Sequence, residues 1–304
     1  MVADRRSRWC GAVVFALVTV LGVTTTSAAH DAFAKRALLL SSPRMPEGIA
    51  VEILAPADWD RRTRAVLMLF LSDRVGSASA FRRHGLAEVL AATLRRDGMP
   101  PVVVVSPGHA GTFLLDSQRG LMESFIIRDL IPTVERLYPG AGGDRDHRVA
   151  WGISMGGWGA LRFAFRHPHT FSRAAAMAPW IVHLTWEQHA ERRSFLSKLL
   201  VEPSLGGSVD ESRFEHHDIY HLAAAAASGG LVPELFLAIG EKDRFRSGAE
   251  EYARFLRDQG FQPEVLSMTG AHHAWYSWRK FAATVFAWLL KPPRAGLATA
   301  PRLQ

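Results

Sequence analysis

Short apolar segments of strand length alternate with segments of helical periodicity along most of this 304-residue chain. Several of the strand-like segments are almost continuously apolar, which is typical of strands buried on both faces of a parallel sheet. The predicted strands are residues 49–54, 65–71, 102–106, 148–153, 173–178, 234–239 and 264–268, and the predicted helices are residues 80–96, 121–138, 156–167, 247–259 and 275–290. A capping box, Ser247 with Glu250, marks the predicted start of the fourth helix. The alternation predicts an α/β fold: a three-layer sandwich around one mostly parallel sheet.

The composition is that of a globular protein and excludes several other classes. Hydrophobic residues make up 48% of the chain and charged residues 21%, which excludes disordered and fibrous proteins. Lys and Arg outnumber Asp and Glu by 36 to 29, but the excess is spread along the chain, so no nucleic-acid partner is expected. The single cysteine, Cys10, excludes a disulfide framework and a thiolate metal site. The 13 histidines show no metal-binding spacing, so neither a metal nor a cofactor is expected.

The first 29 residues have the three parts of a secretory signal peptide. Three arginines lie within the first eight residues, an apolar run covers residues 9–23, and small residues follow over 24–29. The apolar run is shorter than the roughly 20 residues that span a bilayer, so a retained N-terminal anchor is the less favoured alternative. The sequence therefore predicts an exported protein, periplasmic or secreted, that contacts the membrane only through an uncleaved N-terminal segment.

Two further segments differ in composition from the rest of the chain. Residues 180–230 interrupt the alternation, and an insertion of this length predicts a cover over a functional site. Its aromatic and imidazole side chains are candidate pocket residues, or else ordinary packing and surface residues: Trp186, His183 and His189. Residues 291–304 are rich in Pro, Ala and Arg and are predicted to be a disordered tail. The globular domain is therefore predicted to comprise residues 30–290.

Residues 152–156 read Gly-Ile-Ser-Met-Gly, a G-x-S-x-G motif between a predicted strand and a predicted helix. A serine on such a tight turn projects its hydroxyl from the end of the sheet, and glycines two residues before and after relieve the crowding. The start of the helix supplies free N–H groups that favour developing negative charge. This context predicts Ser154 as a nucleophile and the Met155 N–H as an oxyanion donor, with a purely structural turn as the alternative.

A serine nucleophile needs a base, and the base needs an orienting carboxylate. On this type of sheet the chain order is serine, then acid, then histidine. Asp243 follows the predicted strand 234–239, with Glu241 as a competing carboxylate. His272 and His273 follow the predicted strand 264–268. The order predicts Ser154, Asp243 and one of the two histidines as a triad, although each could also be an ordinary turn or loop residue.

The same motifs resemble the esterase family of α/β-hydrolases that includes S-formylglutathione hydrolases, feruloyl and acetylxylan esterases, enterochelin esterases and mycolyltransferases. The resemblance spans about residues 51–289. It rests on VEILAPADWD at 51–60, ESFIIRDLIPTVERLY at 123–138, GISMGG at 152–157, the acid loop at 240–243 and the His-x-Trp-x-x-Trp ending at 273–278. It implies an α/β-hydrolase fold and places the base at His273 rather than at His272.

One turn departs from the family pattern. After its second strand the family commonly has His-Gly or Asp-Gly, whose following N–H completes the oxyanion hole. Here the strand 65–71 ends in Ser72, Asp73 and Arg74, and a glycine comes only at Gly76. The resemblance leaves the N–H of Asp73 or of a neighbour as the second donor. Loss of such a donor lowers kcat by on the order of 10²–10³.

Together with the N-terminal segment, the resemblance implies an exported serine esterase that acts on a small-molecule or carbohydrate-linked ester through an acyl-enzyme on Ser154. One alternative is an acyltransferase of the mycolyltransferase type, which passes the acyl group to a sugar hydroxyl instead of water. Another is a weak or inactive binding domain of the same fold, because of the altered turn at Asp73. A peptidase is less favoured, and S-formylglutathione hydrolysis is disfavoured because that chemistry is cytosolic.

Overall fold

The computed structural model of the chain describes residues 32–96, 98–117, 119–181, 218–229 and 231–292. The predicted signal segment lies outside the described residues, as do most of the predicted cover, with its three candidate pocket residues, and most of the predicted tail. These assignments therefore stay predictions. Among the described residues, no helix has the length and apolar character needed to cross a bilayer.

Eight strands of the described residues form one sheet. They are β1 (Phe33–Ser42), β2 (Met45–Pro56), β3 (Val66–Leu71), β4 (Val102–Pro107), β7 (Arg148–Ile153), β8 (Arg173–Met177), β9 (Glu234–Gly240) and β10 (Glu264–Met268), with β5 (Asp116–Ser117) and β6 (Gly120–Leu121) in a separate small hairpin. The order across the sheet is β1-β2-β4-β3-β7-β8-β9-β10. Strand β2 is antiparallel to β1 and β4, whereas every pair from β4 to β10 is parallel. The predicted mostly parallel sheet is confirmed.

The helices pack on both faces of this sheet. They are α1 (Ala80–Arg83), α2 (Leu86–Leu94), α3 (Met122–Phe125), α4 (Ile131–Leu137), α5 (Met155–Arg166), α6 (Ile219–Ala227), α7 (Arg246–Asp258) and α8 (Trp275–Leu289), and a π-helical turn, Ile126–Leu130, joins α3 to α4. Helices α3 to α7 contribute to the hydrophobic layer on one face of the sheet. Helices α1, α2 and α8 contribute to the layer on the other face.

Strand β3 shows how the sequence produces two hydrophobic layers. Its six residues are all buried, and successive side chains of a strand point to opposite faces. Leu67 and Leu69 therefore belong to one layer, and Met68 and Phe70 belong to the other. A strand between two helical layers has no solvent face, which is why its sequence is continuously apolar. The three-layer α/β sandwich predicted from these runs is confirmed.

Two local predictions were wrong, and one strand was not predicted. Strand β1 lies at the edge of the sheet, and its short apolar run, residues 37–40, alternates between exposed and buried side chains. The predicted helix 80–96 is divided at Gly85, whose φ of +73° is a left-handed conformation that ends α1. The capping box is also absent, because Ser247 lies inside the first turn of α7 and Phe245 precedes the helix. Glu250 instead accepts a hydrogen bond from Arg246, at 2.7 Å.

A buried ionic cluster connects α3 to α5. Glu123 accepts hydrogen bonds from Arg162, at 2.6 Å, and Arg166, at 2.9 Å, and contacts the ring of His167 at 2.7 Å. The side chain of Arg162 is only 1% exposed, and the carboxylate of Glu123 compensates its charge. Burial alone would raise the pKa of Glu123. The hydrogen bond from His167 and the charges of Arg162 and Arg166 outweigh burial and hold the pKa far below its usual value of 4.5.

We expect Glu123→Gln to lower the free energy of unfolding by about 3 kcal/mol near pH 7, because it removes the carboxylate that bonds to the buried Arg162. A carboxylate with a depressed pKa stabilises the fold fully above its unfolded pKa and loses that contribution as the pH falls. The difference between the two proteins should therefore shrink below a pH of about 4.5. Urea unfolding at several pH values measures both effects. The exposed partner of Arg246 supplies the control, Glu250→Gln, which should change stability very little; equal losses for both variants would contradict the prediction.

Candidate active site

The loops that carry the predicted site residues all follow carboxyl ends of parallel strands. Ser154 follows β7, Asp243 follows β9 and His273 follows β10, while Asp73 follows β3. Parallel strands end at the same edge of a sheet, which is where open α/β sheets form their sites. Residues up to 200 positions apart along the sequence therefore lie together at one edge.

Ser154 lies on a strained turn between β7 and α5. Its φ of +57° and ψ of −117° fall in a region that residues with a side chain rarely occupy. Backbone hydrogen bonds hold this conformation: the Ser154 N–H donates to the Met177 carbonyl at 3.0 Å, and the Trp180 N–H donates to the Ser154 carbonyl at 3.0 Å. The turn thus fixes the serine at the start of a helix.

Close backbone contacts explain the two glycines of the motif. A Cβ atom added to Gly152 would lie 2.0 Å from the carbonyl oxygen of Gly156. A Cβ atom added to Gly156 would lie 2.0 Å from the carbonyl oxygen of Leu71, at the end of β3. Real Cβ atoms do not approach backbone so closely, so both positions require glycine. The second contact also shows that the turn after β3 lies directly against the serine turn.

Hydrogen bonds join the three predicted triad side chains. The Oγ atom of Ser154 is 2.9 Å from Nε2 of His273, and Nδ1 of His273 is 2.8 Å from Oδ2 of Asp243. A carboxylate only accepts hydrogen bonds, so Nδ1 of the neutral imidazole carries the proton. The lone pair on Nε2 then accepts the hydroxyl proton of Ser154.

Neighbouring groups fix the positions of both partners of the serine. The second carboxylate oxygen of Asp243, Oδ1, accepts the N–H of Phe245 at 2.8 Å, and the side chain of Asp243 is only 2% exposed. The imidazole of His273 lies edge-to-face against Phe245 and Trp278, each with a centroid distance of 5.0 Å. Because both oxygens and both ring flanks are occupied, the pair is held in one orientation.

The two competing residues lie elsewhere. His272 is exposed, and its backbone N–H donates to Oγ of Ser277 at 3.1 Å. Glu241 is also exposed and accepts the N–H of Gly270 at 2.6 Å. Neither side chain takes part in the hydrogen bonds that join Ser154 to His273 and His273 to Asp243.

Two backbone amides are placed near the serine. Met155 is the first residue of α5, and first-turn amides have no acceptor within their own helix. Asp73 lies in the turn after β3, where the Gly76 N–H donates to the Asp73 carbonyl at 3.0 Å. The Gly156 contact with Leu71 brings this turn to the serine. The predicted oxyanion donors, Met155 and Asp73, thus lie in the two segments that meet at the serine turn.

The side chain of Asp73 belongs to a polar cluster that the sequence did not predict. Burial raises the pKa of Asp73, and the nearby His84, the indole N–H of Trp275 and His109 act in the opposite direction. Burial lowers the pKa of His109, whose imidazole lies beside the carbonyls of Asp73 and Gly76. Nδ1 of His109 accepts the N–H of Gly111 at 3.3 Å, so its neutral ring carries the proton on Nε2. The position of His109, directly after the buried strand β4, was the available sequence signal.

Within the ranges that the structure describes, no group of three or more His, Cys, Asp or Glu side chains is arranged to hold a metal ion.

The sequence profile of the Esterase family, described as “Putative esterase”, matches residues 42–291. The match includes the strained serine, the imidazole and the carboxylate. The chain belongs to this esterase family.

Relatives of this esterase-family chain agree with the assignment. An acetyl esterase of Caldicellulosiruptor saccharolyticus is 23% identical over 194 residues, which cover 62% of this chain and 72% of the relative. Among solved structures, the fluorophosphonate-binding serine hydrolase FphF of Staphylococcus aureus aligns with a TM-score of 0.70 at 16% identity, covering 85% of this chain and 99% of FphF. An S-formylglutathione hydrolase from Agrobacterium tumefaciens aligns with a TM-score of 0.69 at 15% identity, covering 90% and 99%. The two structures confirm the predicted α/β-hydrolase fold.

Gly156→Ala should displace the serine turn from the turn after β3, because the new methyl group would overlap the Leu71 carbonyl. We expect a loss of about 2–3 kcal/mol in the free energy of unfolding. Ester hydrolysis should fall by on the order of 10², since small displacements of reacting groups have effects of that size.

Gly229→Ala is the matched control, because its added Cβ would lie 3.7 Å from the nearest atom, an ordinary contact. Denaturant unfolding and hydrolysis of an aryl acetate measure the two effects. A Gly156→Ala protein as stable and active as Gly229→Ala would show that the close approach does not exist.

Proposed function

We propose that this protein is an exported serine esterase that hydrolyses carboxylic esters through an acyl-enzyme on Ser154. The observation that carries the proposal is the run of two hydrogen bonds, 2.9 and 2.8 Å long, from Ser154 through His273 to Asp243. Family membership and the acetyl esterase relative support an ester as the substrate. The N-terminal sequence supports export.

Acylation follows from this geometry. As Oγ of Ser154 attacks the ester carbonyl, Nε2 of His273 takes its proton, and Asp243 stabilises the resulting imidazolium through Nδ1. The same Nε2–H then protonates the oxygen of the leaving alcohol. The ring does not need to move between the two steps, because Phe245 and Trp278 hold it against the serine.

The negative charge on the carbonyl oxygen needs donors that are already in place. We assign this role to the backbone N–H groups of Met155 and Asp73, which lie in the two turns that meet at Gly156. Preorganised amides of this kind need no reorganisation during the reaction. Because the donors are backbone groups, a turn without glycine can supply one as well as a glycine turn can.

Deacylation repeats the same steps with water as the nucleophile. His273 removes a proton from water, the hydroxide attacks the acyl carbonyl, and the proton returns to Oγ of Ser154 as the acid leaves. An acyltransferase of the mycolyltransferase type would share the first half-reaction and differ only in using a sugar hydroxyl at this point. We propose water as the acceptor.

Ser154→Ala should lower kcat for an aryl acetate by at least about 10⁴ while the fold remains intact, because only the nucleophile is lost. A fluorophosphonate probe should label the wild-type protein at Ser154 and should not label the variant. Circular dichroism and urea unfolding serve as the folding control. A wild-type protein that neither reacts with the probe nor hydrolyses the ester would contradict the proposed esterase and favour the inactive binding domain.

The two adjacent histidines provide a matched pair of variants. His273→Ala should lower kcat by at least about 10⁴, since the base and the proton donor are removed together. His272→Ala should change kcat by no more than a few-fold, because its side chain is exposed and takes no part in the triad hydrogen bonds. Steady-state kinetics on one aryl acetate compares them, and the opposite order would transfer the role of base to His272.

A further inference from the structure

A surface cleft lies between the break that separates α1 from α2 and the start of α8. Its volume is about 410 Å³. Its walls include three arginines and two aromatic rings, Arg82, Arg83, Arg279, Trp275 and Tyr276, together with His84, Gly85 and Glu88. None of these residues belongs to the triad, and the proposed chemistry gives none of them a role.

Packed rings connect this cleft to the catalytic imidazole. The ring of His273 contacts Trp278 at 5.0 Å, Trp278 contacts Trp275 at 5.2 Å, and Trp275 stacks on His84 at 3.8 Å with an interplanar angle of 6°. The cleft is therefore on the side of His273. In the proposed reaction His273 protonates the leaving alcohol, so the alcohol, rather than the acyl group, is the part of an ester that we place on this flank of the imidazole.

The absence of a side chain at Gly85 allows an arginine to pack against the backbone in one wall of the cleft. A Cβ atom added to Gly85 would lie 2.6 Å from Nε of Arg279 and 2.7 Å from its Cζ. The guanidinium of Arg279 thus rests directly on the glycine backbone where α1 ends. The helix break and the arginine from α8 together form one wall.

The arginines of this cleft differ in whether a carboxylate compensates their charge. Arg82 donates to Glu52 at 3.1 Å, so its charge is compensated. Arg83 donates to the neutral Oγ of Ser77, at 3.2 Å. Neither Arg83 nor Arg279 forms an ion pair with a residue of the described part of the chain, and the one carboxylate of the lining is Glu88. By contrast, Arg44 and Arg148 each bond to a carboxylate.

We infer that this cleft binds an anionic oxygen group, such as a carboxylate, on the alcohol part of the ester substrate, an inference that rests on the proposed esterase function. Guanidinium groups form forked hydrogen bonds to such anions and also stack on aromatic rings. Tyr276, which is 70% exposed, and Trp275 line the cleft and provide apolar contact for an aryl group that carries the anion. Arg83 and Arg279 are then specificity-determining residues.

Two acetate esters that differ by one charge test the inference: 4-acetoxybenzoate and its neutral methyl ester. The measured quantity is the ratio of kcat/KM for the charged ester to kcat/KM for the neutral ester, because a general loss of activity cancels in it. We expect the ratio to fall about threefold in Arg83→Gln and in Arg279→Gln, and about tenfold in the double variant, at low ionic strength. Lys280→Gln, at the exposed residue next to Arg279 and outside the cleft, should leave the ratio unchanged. An unchanged ratio in the double variant would overturn the inference.

A binding measurement separates this inference from the proposed function. Calorimetric titration of 4-hydroxybenzoate and of the neutral 4-hydroxybenzamide into the wild-type protein requires no turnover, since neither is an ester. We expect the anion to bind more tightly than the amide, and the double variant to lose this difference. Equal affinities of the wild type and the double variant for the anion would overturn the inferred anion site in the cleft. Failure of the wild type to hydrolyse either acetate ester would instead overturn the proposed esterase function.

Discussion

The site depends on one close backbone contact, between Gly156 at the start of α5 and the Leu71 carbonyl at the end of β3. It brings three features together: the strained Ser154, the free amides of the first helical turn and the turn that contains Asp73. A side chain at this position would separate them, so glycine is required for packing as much as for backbone conformation. Strain at a functional residue persists only when the surrounding structure enforces it, and here the hydrogen bonds to Met177 and Trp180 do so.

The parallel sheet supplies the remaining parts of the site. Strands β7, β9 and β10 run in the same direction, so the loops after them meet at one edge although the residues are far apart in sequence. Each loop then needs little to orient its side chain: Phe245 N–H for Asp243, and two flanking rings for His273. The precision of the hydrogen bonds comes from these supports, while the fold supplies only the approximate positions.

Periodicity and motif spacing predicted the buried strands and the positions of the candidate site residues at strand ends. Buried parallel strands such as β3 are continuously apolar, and the order of serine, acid and histidine placed the three triad residues at strand ends. The edge strand β1 has only a four-residue apolar run, and the break at Gly85 depends on its left-handed φ, so neither was predicted from periodicity. The cluster of Asp73 with His84, His109 and Trp275 joins four separate segments, and no local pattern records such a contact.

The altered turn after β3 has an electrostatic consequence for the proposed reaction. The residue whose N–H we propose as the second oxyanion donor carries a buried carboxyl group, and an ionised carboxylate near the oxyanion would oppose its negative charge. Burial favours the neutral form of Asp73, and when the side chain is ionised the imidazoles of His84 and His109 and the indole of Trp275 partly compensate it. The same His84–Trp275 stack forms the wall of the arginine cleft. These two rings therefore contact both the Asp73 carboxyl group and the arginine cleft.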